Sequence, residues 1–205
     1  MSAMIVAVLL KIIQLMKIIE RLFEEIYDNY GPQSVKYRQT IVLRHVKTKR
    51  LSHSHLFSFA HPGTSGQQQV TASVGFDTND YWIVKVPHGQ PEFDKAGEPV
   101  RHGDVIRLEH LNTHVNLHSH RNYPSPITGQ QEVTGFGHAE NGDGHDNWRV
   151  EVYCRGIWYV GRKIKLIHVD TNHALHSHAG FYVGEQQEVT CFHDRDANDW
   201  WKVTR

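Results

Sequence analysis

Residues Leu108–His120 read LEHLNTHVNLHSH, and the same frame returns without a gap at Leu43–His55 as LRHVKTKRLSHSH and at Leu166–His178 as LIHVDTNHALHSH. Each stretch matches at a leading leucine (Leu43, Leu108, Leu166), a histidine (His45, His110, His168) and a threonine (Thr48, Thr113, Thr171), and each closes on a His-x-His pair. In Leu117–His120 the residues alternate with period two, which puts Leu117 and Ser119 on one strand face and both histidines on the other. No helical period runs through any of the three stretches.

Two further blocks follow in the same order in every copy. GQQQVT at Gly66–Thr71 returns as GQQEVT at Gly129–Thr134 and EQQEVT at Glu185–Thr190. An acidic turn then runs into tryptophan and a valine: Asp77–Trp82 to Val84, Asp143–Trp148 to Val150, Asp196–Trp201 to Val203. Turn formers such as Pro62-Gly63, Pro124-Ser125-Pro126 and Gly142 separate the blocks. Units of about 55 to 65 residues, each a set of short strands, predict a closed threefold architecture, because an open solenoid needs distinct capping repeats and closure removes sheet edges. Trp82, Trp148 and Trp201, with Val70, Val133 and Val189, give each copy an apolar set that it cannot bury alone. At about 25 cal/mol per Å² and 150–250 Å² per aromatic side chain, each tryptophan contributes several kcal/mol once the copies close. The expected fold is therefore all-β, a β-trefoil over residues 39–205 with repeats at about 39–86, 103–152 and 161–205.

Residues 1–30 differ. Ile5, Leu9, Ile12, Met16, Ile19, Phe23 and Ile26 are spaced alternately four and three apart, the seam of an amphipathic helix, and Asn29, Gly31 and Pro32 end it. Lys11 and Lys17 interrupt the apolar run that a membrane span needs, and no basic residue or A-x-A-like site marks a secretory signal. Three roles stay open for the helix: self-association, peripheral contact with a membrane surface, or packing on its neighbour. Residues 31–38 read as a linker. The whole chain of 205 residues balances 22 Lys+Arg against 22 Asp+Glu, which argues against nucleic acid as a partner. Cys154 and Cys191 are too few for a disulfide framework, and whether they pair is open.

The paired LHSH and QQEVT blocks, three times over, resemble the MIR domain, the β-trefoil module of protein O-mannosyltransferases and of stromal-cell-derived-factor-like proteins of the endoplasmic reticulum. The resemblance covers about residues 39–205. It implies three MIR repeats and a non-catalytic module. Such a module would bind a glycan, a glycoprotein or an acceptor polypeptide beside a mannosyltransferase. Alternatively it would act as a chaperone cofactor, through protein–protein contact with a co-chaperone. It also implies the endoplasmic reticulum lumen or a membrane-associated setting. No retention signal closes the chain and no multi-span or catalytic transferase region accompanies it.

The residues agree on the absence of catalysis. No G-x-S-x-G, H-E-x-x-H or phosphate-cradling glycine loop is present, so no enzyme and no cofactor are expected. The recurring Asp residues read as turn residues that bond local backbone amides. Histidines two apart could chelate an ion, yet threefold recurrence favours a structural role, so no metal is expected, and the Asp143–Asn147 loop fails the EF-hand template. A sugar site needs an aromatic platform beside fixed polar groups. The candidate ligand-binding residues are accordingly His53 and His55; His118, His120 and Tyr123; and His176, His178, Phe181 and Tyr182. In the first copy Leu56, Phe57 and Phe59 follow the histidine pair, and Phe57 and Phe59 alternate as hairpin residues do.

Overall fold

The computed structural model describes residues 11–19, 21–22, 31–138 and 141–204, and the chain divides into two units between Gln33 and Ser34. In the first unit residues 11–19 and 21–22 are helical. Lys11, Gln14, Lys17 and Arg21 recur every three or four residues and line up as one polar stripe, while Ile12, Leu15, Met16, Ile19 and Leu22 are exposed. The rest of the helix expected over residues 1–30 lies outside the described residues. Among these, no helix is long and apolar enough to cross a membrane.

The second unit is all β. Its first sequence copy forms β1 (Thr40–His45), β2 (Leu51–Ser58), β3 (Gln68–Ser73) and β4 (Tyr81–Lys85). The second copy forms β5 (Val105–His110), β6 (Val115–Pro124), β7 (Gln131–His138) and β8 (Trp148–Val152). The third forms β9 (Ile164–His168), β10 (Ala174–His176), the short β11 (Tyr182–Val183) and β12 (Gln186–Glu188), then β13 (Thr190–Phe192) and β14 (Trp201–Val203). Antiparallel pairing runs β1–β4–β5–β8–β9–β14 and returns to β1, so six strands close on themselves like a barrel and leave no edge in that ring. The hairpins β2–β3, β6–β7 and β10–β13 join one another through β3–β7, β7–β13 and β12–β3.

Local chemistry sets the turns. Between the first two strands of each copy, Lys49, His114 and Asn172 take the left-handed conformation at φ 66°, 55° and 56°. Of these Asn172 and His114 are residue types that enter that region readily, and Lys49 is not. The turn is held by the preceding histidine and threonine, whose side chains bond each other at 2.7–2.9 Å in all three copies. Before each third-block tryptophan a single 3-10 turn forms, at Thr78–Asp80, Gly144–Asp146 and Ala197–Asp199. Asp77, Asp143 and Asp196 cap it by accepting the N–H two residues on, which matches the expected use of these carboxylates.

The core sits inside the closed ring. Trp82, Trp148 and Trp201 are fully buried beside Leu43, Leu108 and Leu166. Each indole N–H donates to the carbonyl of Ser52, Leu117 or Leu175, at 3.2, 2.8 and 3.0 Å, so the ring's one polar atom is satisfied. The stretch expected as a linker is partly body. Val35 and Tyr37 are buried in the core, and Val35 N–H donates to Trp158 O at 2.7 Å while Lys36 bridges Pro99. Two apolar residues in a short Gly/Pro-flanked segment carry too little pattern to show this. Cys154 is exposed and Cys191 buried, both as free thiols, and burial pushes the Cys191 thiol up to about 12.

Candidate functional site

The 17 histidines sort by depth. The innermost are His45, His110 and His168, fully buried against Trp201, Trp82 and Trp148 at ring-centroid distances of 5.0–5.2 Å. Their Nε2 atoms reach the carbonyls of Asn198, Asn79 and His145, each in a neighbouring copy, at 2.8–2.9 Å. A carbonyl only accepts, so Nε2 carries the proton, and a neutral ring leaves Nδ1 to accept from the threonine hydroxyl. Burial pushes His45 and His168 down to about 4 and lowers His110, which keeps that tautomer neutral. These residues tie the copies together.

Next come the first members of the His-x-His pairs. His53, His118 and His176 are 2–3% exposed, and each Nδ1 donates to a fully buried carboxylate, that of Asp80, Asp146 or Asp199, at 2.9, 2.9 and 2.8 Å. The capping aspartates stand slightly farther off, at 3.8, 3.8 and 3.6 Å. Three potential ligand atoms thus converge within 4.8 Å in each copy. In the first copy Ser73 Oγ also lies 3.3 Å from Asp80, and in the third Lys165 Nζ lies 2.8 Å from Asp199. Sequence reasoning missed the role of Asp80, Asp146 and Asp199, although an Asp that recurs two residues before each buried tryptophan is the signal that finds it.

The second members, His55, His120 and His178, are half-buried, edge-on to the first at 5.0–5.3 Å. Each also meets an aromatic ring edge-on: His55 with Phe57 at 4.8 Å, His120 with Tyr123 at 4.8 Å, His178 with Phe181 at 4.6 Å. Burial, then the neighbouring histidine, lowers the pKa of His55 and His120. Phe59 is buried as a hairpin residue, whereas Phe57 stands 71% exposed. Of the expected binding residues, therefore, His53, His118 and His176 face inward onto carboxylates, and the outer histidines with Tyr123, Phe181 and Tyr182 reach the surface.

Two clefts open where copies meet. One, of about 520 Å³, lies between the first and third copies and is lined by Lys47, Thr48, Arg50, His178, Tyr182 and Asn198 among others. Arg50's guanidinium lies 5.3 Å over the Tyr182 ring. The other, of about 510 Å³, lies between the second and third copies, where Arg121, Tyr123, Gln130, His173, Phe192 and His193 contribute. Lys47, Arg50, Arg121, His173 and His193 escape a reading by repeats because the other copies hold different residues at the matching positions.

The QQEVT blocks prove to be a clasp. Gln68, Gln131 and Gln187 donate to the serine of their own LHSH segment at 2.6–2.8 Å. Thr134 donates to Gln67 and Thr190 to Gln130, both at 2.5 Å, and Thr71 donates to Gln186. Copy two bonds copy one, three bonds two, and one bonds three.

With this geometry in place, comparison with known proteins is direct. A stromal cell-derived factor 2-like protein of Arabidopsis thaliana is 40% identical over 172 residues, 82% of this chain and 77% of that protein. The crystal structure of the SDF2-like protein from Arabidopsis thaliana superposes with a TM-score of 0.78 at 38% identity, covering 84% of this chain and 95% of that one. Protein O-mannosyl-transferase 2 of Drosophila melanogaster is 37% identical over 196 residues, which are 87% of this chain but 24% of the transferase. The MIR domain family model matches residues 41–203. The chain belongs to the MIR domain family.

Proposed function

We propose that the second unit is a β-trefoil of three MIR repeats that performs no catalysis and binds a glycan, either free or on a mannosylated or acceptor polypeptide. The observation that carries this reading is the pair of inter-copy clefts, each presenting an exposed tyrosine, Tyr182 or Tyr123, beside fixed polar groups. An apolar platform with a few convergent donors and acceptors is what a sugar ring requires. His178 supplies a ring nitrogen in the first cleft, while His55 and His120 orient the neighbouring aromatics. The family relationship supports a mannosyltransferase as partner and the endoplasmic reticulum lumen as the place of work.

A second reading, contact with polypeptide clients as a chaperone cofactor, rests on Leu56 and Phe57, which stand 83% and 71% exposed near the end of β2. Two adjacent apolar side chains at a strand end suit an extended peptide better than a sugar.

The test is binding of the full chain to mannose-containing glycans and glycopeptides, with Tyr182→Ala and Tyr123→Ala beside the wild type. The expected result is saturable binding that weakens at least tenfold in one of the two variants. No binding by the folded wild type would overturn the glycan reading for those ligands. Sugar-independent capture of an unfolded polypeptide, lost in Phe57→Ala, would favour the second reading.

A further inference from the structure

The three acidic turns are built alike, and the residue before the second aspartate sets the second copy apart. Asn79 and Asn198 stand there in the first and third copies, and His145 in the second. Asn198 donates to Asp196 at 2.8 Å; His145 instead turns its Nδ1 to Asp143 Oδ1 at 3.2 Å. Asp143 Oδ1 therefore faces two imidazole nitrogens, since His118 Nδ1 lies 3.8 Å away on its other side. His118 Nδ1 in turn lies 2.9 Å from Asp146 Oδ1. The three imidazoles of His118, His120 and His145 lie with centroids 5.2, 5.8 and 6.2 Å apart, a convergence that neither other copy has.

One more feature is peculiar to the second copy, and another separates it from the third. The residue that matches Leu51 and Ala174 is Asn116, fully buried, with neither side-chain polar atom hydrogen-bonded. It packs on the same backbone carbon as Asp146: a Cβ on Gly142 would fall 2.7 Å from Asn116 Nδ2 and 2.0 Å from Asp146 Oδ2. The position held by Lys165, whose ammonium neutralises Asp199 in the third copy, is Arg107 here, and Arg107 bonds Val86 and pairs with Glu92 instead. Among the described residues no Lys or Arg forms an ion pair with Asp143 or Asp146. Asp143 and His145 are 47% and 43% exposed, so an ion can reach the cluster from solvent.

We propose that the second copy holds a divalent transition ion of the zinc type through His118, Asp143 and His145, with Asp146 as fourth ligand. Bonds of about 2.0–2.2 Å in a tetrahedral site set neighbouring ligand atoms about 3.3 Å apart. The spacings of 2.9, 3.2 and 3.8 Å bracket that edge, and the ligand atoms of His118, Asp143 and Asp146 already lie within 4.8 Å of one another, so the site closes when His145 rotates toward them. Two imidazole nitrogens with carboxylate oxygens suit a borderline ion such as zinc; calcium and magnesium want oxygen alone. The ion takes the place of the proton that His118 Nδ1 shares with Asp146, so binding releases that proton to solvent. The His-x-His pairs themselves do not make this site, because all three copies have them.

The test is titration of the untagged full chain with zinc chloride, following heat and proton release, with calcium and magnesium chlorides as controls. His145→Asn installs the residue the other copies already carry, so its fold is safeguarded, and near-UV circular dichroism checks this. The expected result is one zinc per chain, with affinity reduced at least tenfold in His145→Asn and in Asp143→Asn but unchanged in His178→Ala. No zinc binding overturns the site. So does zinc binding that His145→Asn leaves unchanged, which assigns it to the other histidines, and so do three equivalent ions per chain, which assign it to the shared His-Asp-Asp arrangement.

Discussion

His118 and His120 stand two residues apart on one strand, on one face, with their rings touching. His118 is 2% exposed and bonds Asp146 at 2.9 Å, and its counterparts His53 and His176 reproduce that bond within 0.1 Å. His120 is half-buried, and the ring it meets changes from copy to copy: Phe57 near His55, Tyr123 near His120, Phe181 near His178. The contrast separates two pressures. Whatever closes the three copies on one another has to be the same in each. Whatever faces solvent at a copy boundary is free to differ, and chemistry particular to one copy resides there.

The strongest way to break that contrast is to cut into the shared layer. Trp148→Ala removes a fully buried ring and leaves the Leu117 carbonyl without its donor, so a loss of about 3–5 kcal/mol is expected, read as a shift of the urea midpoint. Phe57→Ala, at the exposed position, is expected to stay within about 0.5 kcal/mol. Equal losses at the two sites would mean that depth does not distinguish them.

A gentler probe is pH. His45 and His168 ordinarily titrate near 6.5 and are pushed down to about 4 in the fold by burial, so the folded state holds them neutral. Between those values the unfolded chain binds protons that the folded chain refuses. The stability these residues contribute is therefore complete above about pH 6.5, falls as pH drops toward 4, and falls no further below it. The slope of stability against pH near 5 should correspond to at least one to two protons for this pair, about one of which disappears in His168→Gln. A flat profile, or a slope that the variant leaves intact, would show that the inner histidines accept protons freely.

Much of this organisation is legible in the sequence because it recurs. Three blocks in fixed order imply closure, the His-x-x-Thr spacing is the turn seen at His45–Thr48, and period two puts His118 and His120 on one face. What recurrence does not tell is depth. His118 and His120 look interchangeable in LHSH, and only the 3-10 turn bearing Asp146 folds over one and leaves the other open. The same limit hides Val35 and Tyr37, which occur outside the copies and still fill the core. It hides the clefts too, since Arg50 meets Tyr182 in one, and Arg121 lines the other with His193, only when different copies come together. His145 is the converse case: it breaks a pattern, standing where the other two copies hold Asn79 and Asn198.

The smallest effect tests whether the copies are as equal as the shared layer implies. Thr71, Thr134 and Thr190 each pass a hydroxyl hydrogen bond to a glutamine of the neighbouring copy, and together these bonds run once around the closure. Replacing any one threonine by valine keeps the β-branched shape and deletes the donor, at a cost of about 0.5–1.5 kcal/mol. Because the three bonds join different pairs of copies and share no atom, the single losses should match within about 0.5 kcal/mol and add in the triple variant. A triple variant that loses much more than the sum would mean that each bond supports the next, and that the clasp acts as one cooperative unit. One threonine that costs far more than the others would mark a copy boundary on which closure depends. Chemical denaturation of the four variants beside the wild type distinguishes these outcomes.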